Sequence, residues 1–179
     1  HRNTRRQRQM CIRDSVEMAD NFQSATMSAA AGGNTTVLPF AMQEKGQSLR
    51  ECVENYHKKA KDNLYIDTSF HLIISDPSPQ VLGQELPALA RDGYTSFKVF
   101  MTYDDLVLND EELLKVFEVA KKEKTLVMVH AEGYDAIRYL TKKLEEEGKV
   151  APYFHGISRP QIVEREATHR AISHAQIVD

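Results

Sequence analysis

The chain has few of the residues and motifs that mark specialised classes of protein. Its only two cysteines, Cys11 and Cys52, form neither a metal-ligand spacing nor a disulfide framework. This usage is typical of a reducing compartment, so we expect a cytoplasmic protein. The sequence also lacks CxxC, GxGxxG and GxxxxGK motifs. The sequence therefore gives no indication of a dithiol, dinucleotide-binding or P-loop site.

Long hydrophobic runs and an excess of basic residues are also missing. No apolar stretch approaches the ~20 residues needed to span a bilayer, and the formal net charge of -3 gives no basic surface for nucleic acid. We therefore expect neither a membrane nor a nucleic-acid partner. With 41% hydrophobic and 27% charged residues, the 179-residue chain has the composition of one globular domain with a substantial core.

The first fifteen residues differ from the rest. They contain five arginines, no acid before Asp14, and too few apolar residues for a secretory signal. Residues 6–15 resemble translated sequencing adapter joined to a gene fragment, and a natural basic tail is the alternative. We therefore expect a disordered or foreign leader at 1–15 and an incomplete folded domain at 16–179.

Predicted helices and strands alternate from residue 16 onward. Apolar, β-branched runs predict strands at 35–40, 65–74, 95–101 and 125–130. Helical spacing and end signals predict helices at 17–31, 48–61, 78–91, 110–123, 134–147 and 161–177. Pro39 is expected to end the first strand, and Ser48 with Glu51 is expected to form a capping box.

The predicted strands are apolar along their whole length, which is typical of strands covered on both faces. Such strands belong to parallel sheets of α/β proteins. Two arrangements fit the alternation: an open doubly wound sheet, and about four strand–helix units of a TIM-type (β/α)8 barrel.

Two polar residues stand at or near the carboxyl ends of predicted strands. Lys98 lies inside an apolar run, where an ammonium ion is costly to bury, and His130 ends the next run. Burial and nearby cations favour a neutral lysine amine, which can react with carbon dioxide to give a carbamate with one oxygen for each of two metals. Paired metals polarise a carbonyl and generate hydroxide near neutral pH. A snorkelling edge lysine and a hydrogen-bonded core histidine are the alternatives.

Other polar residues have simpler structural explanations. Glu132 could orient His130, because histidines that bind metals need a partner for the second ring nitrogen. The remaining candidates are a core histidine (His71), a loop histidine (His155), two helix histidines in surface or packing positions (His169 and His174) and two solvent-facing acids (Asp104 and Asp105).

Several segments of 16–179 together resemble the dihydropyrimidinase/hydantoinase family, cyclic amidases of the amidohydrolase superfamily. These segments are 32–36, 45–48, 96–103, 127–132, 158–160 and 164–172. The resemblance implies a partial TIM barrel and a small cyclic amide as substrate. Dihydropyrimidines or 5-substituted hydantoins would be opened by hydrolysis to N-carbamoyl amino acids.

The resemblance also implies roles for four residues. Lys98 would be the carboxylated lysine that bridges two divalent metal ions, usually zinc, and His130 a ligand of one of them. Tyr103 would donate a hydrogen bond to the substrate carbonyl and its oxyanion. Phe100 would begin a loop, to about residue 108, that shapes the pocket around the exocyclic substituent.

The sequence lacks other parts of that family's site. The His-x-His pair of the first barrel strand is absent, and a further metal histidine and the general-base aspartate would follow residue 179. We therefore expect an internal fragment that is inactive alone, from a parent that is a homo-oligomer, commonly a tetramer. A non-catalytic scaffold or signalling relative, and allantoinase or dihydroorotase, are the alternative identities.

Overall fold

The computed structural model describes residues 20–179, so the predicted leader at 1–15 lies outside the described residues. The strands are β1 (Thr36–Val37), β2 (Phe40–Met42), β3 (Asp67–Thr68), β4 (His71–Ile73), β5 (Ser96–Phe100) and β6 (Leu126–His130). The helices are α1 (Phe22–Ala31), α2 (Leu49–Ala60), α3 (Leu86–Arg91), α4 (Asp110–Glu123), α5 (Tyr134–Glu146), α6 (Tyr153–Ile157) and α7 (Gln161–Val178). Within 20–179, no helix combines the length and apolar character needed to cross a membrane.

The main sheet is parallel and has the strand order β2-β4-β5-β6. Each new strand is added beside the previous one, in chain order. A doubly wound sheet reverses its order at a switch point, whereas a barrel does not. The order of these four strands fits the predicted part of a TIM-type (β/α)8 barrel, and the described strands contain no doubly wound switch point.

Pro39 interrupts the first predicted strand without ending it. The pairs β1–β3 and β2–β4 keep the same offset of 31 residues between partners on both sides of the interruption. Pro39 has no N–H to donate, but its carbonyl still accepts from the His71 N–H at 2.9 Å. The predicted strands at 35–40 and 65–74 are thus two broken strands that remain in register.

The helix starts show which capping predictions hold. Helix α4 has the predicted bounds, and Asn109 with Glu112 forms a reciprocal capping box at its start. At α2 the Ser48 hydroxyl accepts from the Glu51 N–H, but the carboxylate is supplied by Glu85. Glu85, which is 6% exposed, accepts from the Leu49 N–H at 2.6 Å and the Ser48 hydroxyl at 3.0 Å.

Two helical segments differ from prediction. The predicted helix at 78–91 begins as a π-helical turn, Val81–Glu85, in which the Leu86 N–H donates to the Val81 carbonyl. Pro87 follows at once and cannot donate, so regular α-helical bonding is disrupted at this point. The stretch between Pro152 and Pro160, predicted as a loop, contains the short helix α6.

The two faces of the sheet differ in character. Side chains alternate along a strand, and one set packs under the helices in a single apolar core. In β5 that set includes Phe97 and Val99. The opposite set, Ser96, Lys98 and Phe100, faces away from this core and is also buried. Strand β6 is less covered than predicted, because it is an edge strand and Leu126 is 63% exposed.

We expect Glu85→Ala to lower the free energy of unfolding of the chain by about 2 kcal/mol, because it leaves buried donors at the start of α2 without their acceptor. Urea denaturation measures this loss. Glu54→Ala is the matched control on an exposed position of α2 and should change the free energy little. Equal stability of the two variants would contradict the capping role of Glu85.

We expect His71 to make the chain less stable as the pH falls. Burial lowers the pKa of His71 below its usual 6.5, and its Nδ1 lies 2.5 Å from the Ser96 hydroxyl. Between pH 6.5 and the lower pKa of the folded state, His71 is protonated in the unfolded chain but neutral in the folded chain. Lowering the pH through this range therefore lowers the free energy of unfolding. Urea denaturation midpoints measured across this pH range test the effect. The midpoint of His71→Asn should depend less on pH than that of the wild-type chain. The exposed His169→Asn control should keep the wild-type dependence.

Candidate functional site

Strand β5 buries Lys98 in the middle of the sheet. Its backbone pairs with Ile73 on one side and Met128 on the other, and the residue is only 5% exposed. Lys98 is the third of five strand residues, two positions before the carboxyl end at or near which it was predicted to lie. Its Nζ lies 5.0 Å from the centre of the Phe100 ring, a cation–π distance.

The ring of Phe100 brings Lys98 and His130 to the same place. His130 is the last residue of β6, as predicted, and its ring stacks on Phe100 with centroids 5.4 Å apart and planes at 16°. Phe100 and His130 are also register partners across the sheet. Because Phe100 is fully buried, it forms a packing surface for both side chains. Its role in a substrate pocket stays a prediction.

Tyr103 reaches the same cluster from the loop after β5. Its ring centroid is 5.1 Å from that of His130 and 6.0 Å from that of Phe100, and its hydroxyl lies 3.5 Å from His130 Nε2. The backbone at Tyr103 has φ 73°, in the left-handed region that bulky side chains avoid. Its carbonyl accepts the N–H groups of Leu106 and Val107, at 3.0 and 2.8 Å, which holds this conformation.

A carboxylate and a guanidinium extend the cluster. Glu132 Oε2 lies 2.7 Å from His130 Nε2, as expected for a residue that orients the histidine. Its other oxygen, Oε1, faces Arg159 Nε at 3.8 Å. Arg159 could not be assigned a role from local sequence patterns, because only the fold brings segment 158–160 beside β6.

A second network ties together the carboxyl ends of β2 and β4. Gln43 is 1% exposed, and its side-chain amide donates to the Gln47 carbonyl at 2.8 Å. Its oxygen accepts from the N–H groups of Ser75 and Asp76, at 3.2 and 3.1 Å. Gln43 could not be found from the sequence, because a lone glutamine beside a strand carries no local signal of such a role.

The remaining candidates lie outside the cluster. His71 begins β4 at the amino end of the sheet and is hydrogen-bonded, as expected of a core histidine. His155 contacts Arg159 with its Nδ1 at 3.1 Å, His169 is exposed, and His174 is buried on α7. Asp104 and Asp105 are exposed, as predicted, and Asp104 accepts a hydrogen bond from the Tyr134 hydroxyl at 2.5 Å.

The donor set fits part of a metal centre. A histidine at a strand end and a buried lysine, once carboxylated, are both suitable ligands, and they share the Phe100 ring. Within 20–179, no group of three or more histidine, cysteine, aspartate and glutamate side chains could hold a metal ion. The metal-binding roles of Lys98 and His130 therefore stay predictions.

No protein-family model matches the chain, but curated proteins and solved structures are similar to it. D-hydantoinase from Rhizobium radiobacter is 45% identical over 165 residues, covering 92% of this chain and 36% of that protein. Dihydropyrimidinase from Rattus norvegicus is 37% identical over 165 residues, covering 91% of this chain and 32% of that protein. A solved structure of D-hydantoinase superposes with a TM-score of 0.90 at 44% identity, covering 94% of this chain and 37% of that one.

These similarities cover nearly all the described residues, including the strands and loops that carry Lys98, Tyr103 and His130. The chain spans about a third of the length of the curated relatives it matches. Across that third, the chain is similar in sequence and in fold to proteins named D-hydantoinase and dihydropyrimidinase.

Proposed function

We propose that this chain contributes one side of the active site of a metal-dependent cyclic amidohydrolase. The observation that carries the proposal is the burial of Lys98 in the centre of β5, against the ring on which His130 also stacks. Relatives named D-hydantoinase and dihydropyrimidinase support the reaction class. The substrate is a small cyclic amide, either a 5-substituted hydantoin or a dihydropyrimidine, and the product is an N-carbamoyl amino acid.

Lys98 and His130 are the residues that would hold the metal ions, for which zinc is the first choice. A neutral Lys98 amine attacks carbon dioxide, an Nζ–C bond forms, and one proton leaves, which gives an anionic carbamate with two ligand oxygens. When bound, divalent metals supply Lewis-acid polarisation of the amide carbonyl and a nucleophile at neutral pH. The apolar surface of Phe100 keeps water from the base of this arrangement.

Tyr103 supplies a hydrogen-bond donor for the substrate carbonyl. Its hydroxyl lies beside the His130 ring, and its strained backbone fixes the direction of the side chain. A donor already in place stabilises the negative charge that develops on the oxygen in the transition state, and it needs little reorganisation as the reaction proceeds.

A non-catalytic scaffold is the second candidate, and the buried lysine argues against it. Burying an ammonium ion costs several kcal/mol. A scaffold without chemistry gains nothing from that cost, since an apolar side chain would fill the same position. The cytoplasmic location and homotetrameric parent stay predictions.

We expect purified residues 1–179 to bind less than stoichiometric zinc and not to hydrolyse hydantoin or dihydrouracil, because they supply only two of the metal donors. Inserting the 165 aligned residues into the matching segment of the R. radiobacter relative should restore both properties. Metal analysis and product formation measure them. Stoichiometric zinc and turnover by the chain alone would contradict the expectation.

In that chimera, Lys98→Met should remove both zinc and turnover. Lys142→Met is the matched control, since its side chain is 79% exposed, and should change neither property. Full activity of the Lys98→Met chimera would overturn the proposal.

We expect Tyr103→Phe in the chimera to lower kcat about 10²–10³-fold, because the ring stays but the donor to the developing oxyanion is lost. Zinc content should not change. Steady-state hydantoin hydrolysis measures the effect. Tyr153→Phe, at a 74% exposed tyrosine, is the matched control. Equal kcat values for both variants would show that the Tyr103 hydroxyl has no such role.

A further inference from the structure

A chain of three ionisable side chains runs away from the strand end of β6. His130 Nε2 lies 2.7 Å from Glu132 Oε2, and Glu132 Oε1 lies 3.8 Å from Arg159 Nε. The side chains of His130, Glu132 and Arg159 are 23%, 18% and 22% exposed. Each oxygen of one carboxylate thus faces a different partner in a site largely shielded from water.

The chemistry of the acceptor decides where the proton of His130 lies. An ionised carboxylate can only accept hydrogen bonds, so the short contact requires an N–H at His130 Nε2. A neutral imidazole has one N–H and one lone pair, and the lone pair must then be on Nδ1. Arg159 lies beside the other oxygen of the same carboxylate, with its Nε 3.8 Å from Oε1.

We propose that Glu132, held by Arg159, is a positioning residue that fixes His130 with its proton on Nε2 and presents Nδ1 as the metal-binding nitrogen. The metal-binding part rests on the proposed function. The placement of the proton and the ring rests on this structure alone. A carboxylate on the second ring nitrogen also makes a histidine a stronger ligand.

The same arrangement directs the hydroxyl of Tyr103. That hydroxyl lies 3.5 Å from His130 Nε2, the nitrogen that Glu132 contacts at 2.7 Å. Because a protonated Nε2 has no lone pair there, it cannot accept the Tyr103 proton. Glu132 therefore keeps the Tyr103 O–H from donating to the histidine.

The backbone around Glu132 and Arg159 is fixed by the last helix. The Gly133 N–H donates to the Val163 carbonyl at 3.2 Å. A Cβ at Gly133 would lie 3.2 Å from Glu166 Oε2, so a glycine permits this close approach. Arg159 is steadied by His155 Nδ1 at 3.1 Å and the Ser158 hydroxyl at 3.3 Å. The segment just before α7 thus helps to set the geometry of a strand-end ligand.

The experiment is imidazole NMR on uniformly ¹⁵N-labelled chain 1–179 without metal, at about pH 8.5, where an ordinary imidazole is neutral. Two-bond ¹H–¹⁵N correlations identify which nitrogen of His130 carries the proton. We expect the Nε2–H form, with a slowly exchanging Hε2 signal shifted downfield by the carboxylate. An Nδ1–H form in the wild-type chain would overturn the proposal.

Variants separate the roles of the two partners. Glu132→Gln should lose the slowly exchanging Hε2 signal, and Arg159→Met should speed its exchange, with Arg159→Lys recovering part of the protection. Asp104→Asn is the matched control, since Asp104 bonds to Tyr134 and not to His130, and should keep the signal. An Hε2 signal that survives Glu132→Gln unchanged would also overturn the proposal.

Two outcomes need separate treatment. If Glu132→Gln fails to fold, as judged by its backbone amide spectrum, the wild-type proton position and the Arg159 pair decide the question. If the Nε2–H form and its dependence on Glu132 hold but the chimera neither binds zinc nor hydrolyses a cyclic amide, the positioning role stands and the proposed function fails. If the chimera binds zinc and hydrolyses a cyclic amide but the Nε2–H form or its dependence on Glu132 is not seen, the proposed function stands and the positioning role of Glu132 fails.

Discussion

The burial of Lys98 is the constraint on which the rest of the site depends. An ammonium ion taken from water into an interior loses several kcal/mol of hydration. A cation–π contact of the kind made with Phe100 returns about 0.5–2 kcal/mol, which is less than that loss. A methionine would fill a similar volume without the cost, and selection for stability alone would favour it. A lysine at this position is explained if its amine is converted into the proposed carbamate.

The two faces of β5 divide structure from chemistry. Phe97 and Val99 belong to the continuous apolar core under the helices, whereas Lys98 and Phe100 face the opposite side with His130 and Tyr103. Because side chains alternate along a strand, the strand pairing that positions the core residues also positions the residues of the site. The core therefore supplies the rigidity on which the cluster depends.

Local patterns in the sequence predicted the alternation of elements, and α4 with its full bounds, because periodicity and helix ends are recorded within a few residues. They failed where a distant residue decides the outcome. Glu85 takes the place predicted for Glu51 at the start of α2, and Pro39 lies in a strand that pairs past it. Glu85 is 36 residues from Leu49 in the chain, and the strands that pair around Pro39 are offset by 31 residues.

The candidate site shows the same division. Lys98 and His130 could be proposed from their strands, and Tyr103 from the family resemblance, but the Phe100 ring that joins them is visible only in the fold. Gln43 and Arg159 carried no local signal, because a lone amide or guanidinium gains meaning from what it contacts. Gln43 contacts Asp76, which is 33 residues away in the chain, and Arg159 contacts Glu132, just after the end of β6.

Three costs to stability converge on one small region: a buried lysine, a tyrosine with positive φ, and a glutamate largely withdrawn from water. A left-handed backbone at a bulky residue costs on the order of 1–3 kcal/mol and persists only where its surroundings impose it. In a purely structural loop, glycine or asparagine would remove that cost at position 103. Because these costs share one set of contacts around His130 and Phe100, chance is a poor explanation for their coincidence. A site whose geometry must be fixed before a substrate arrives explains all three.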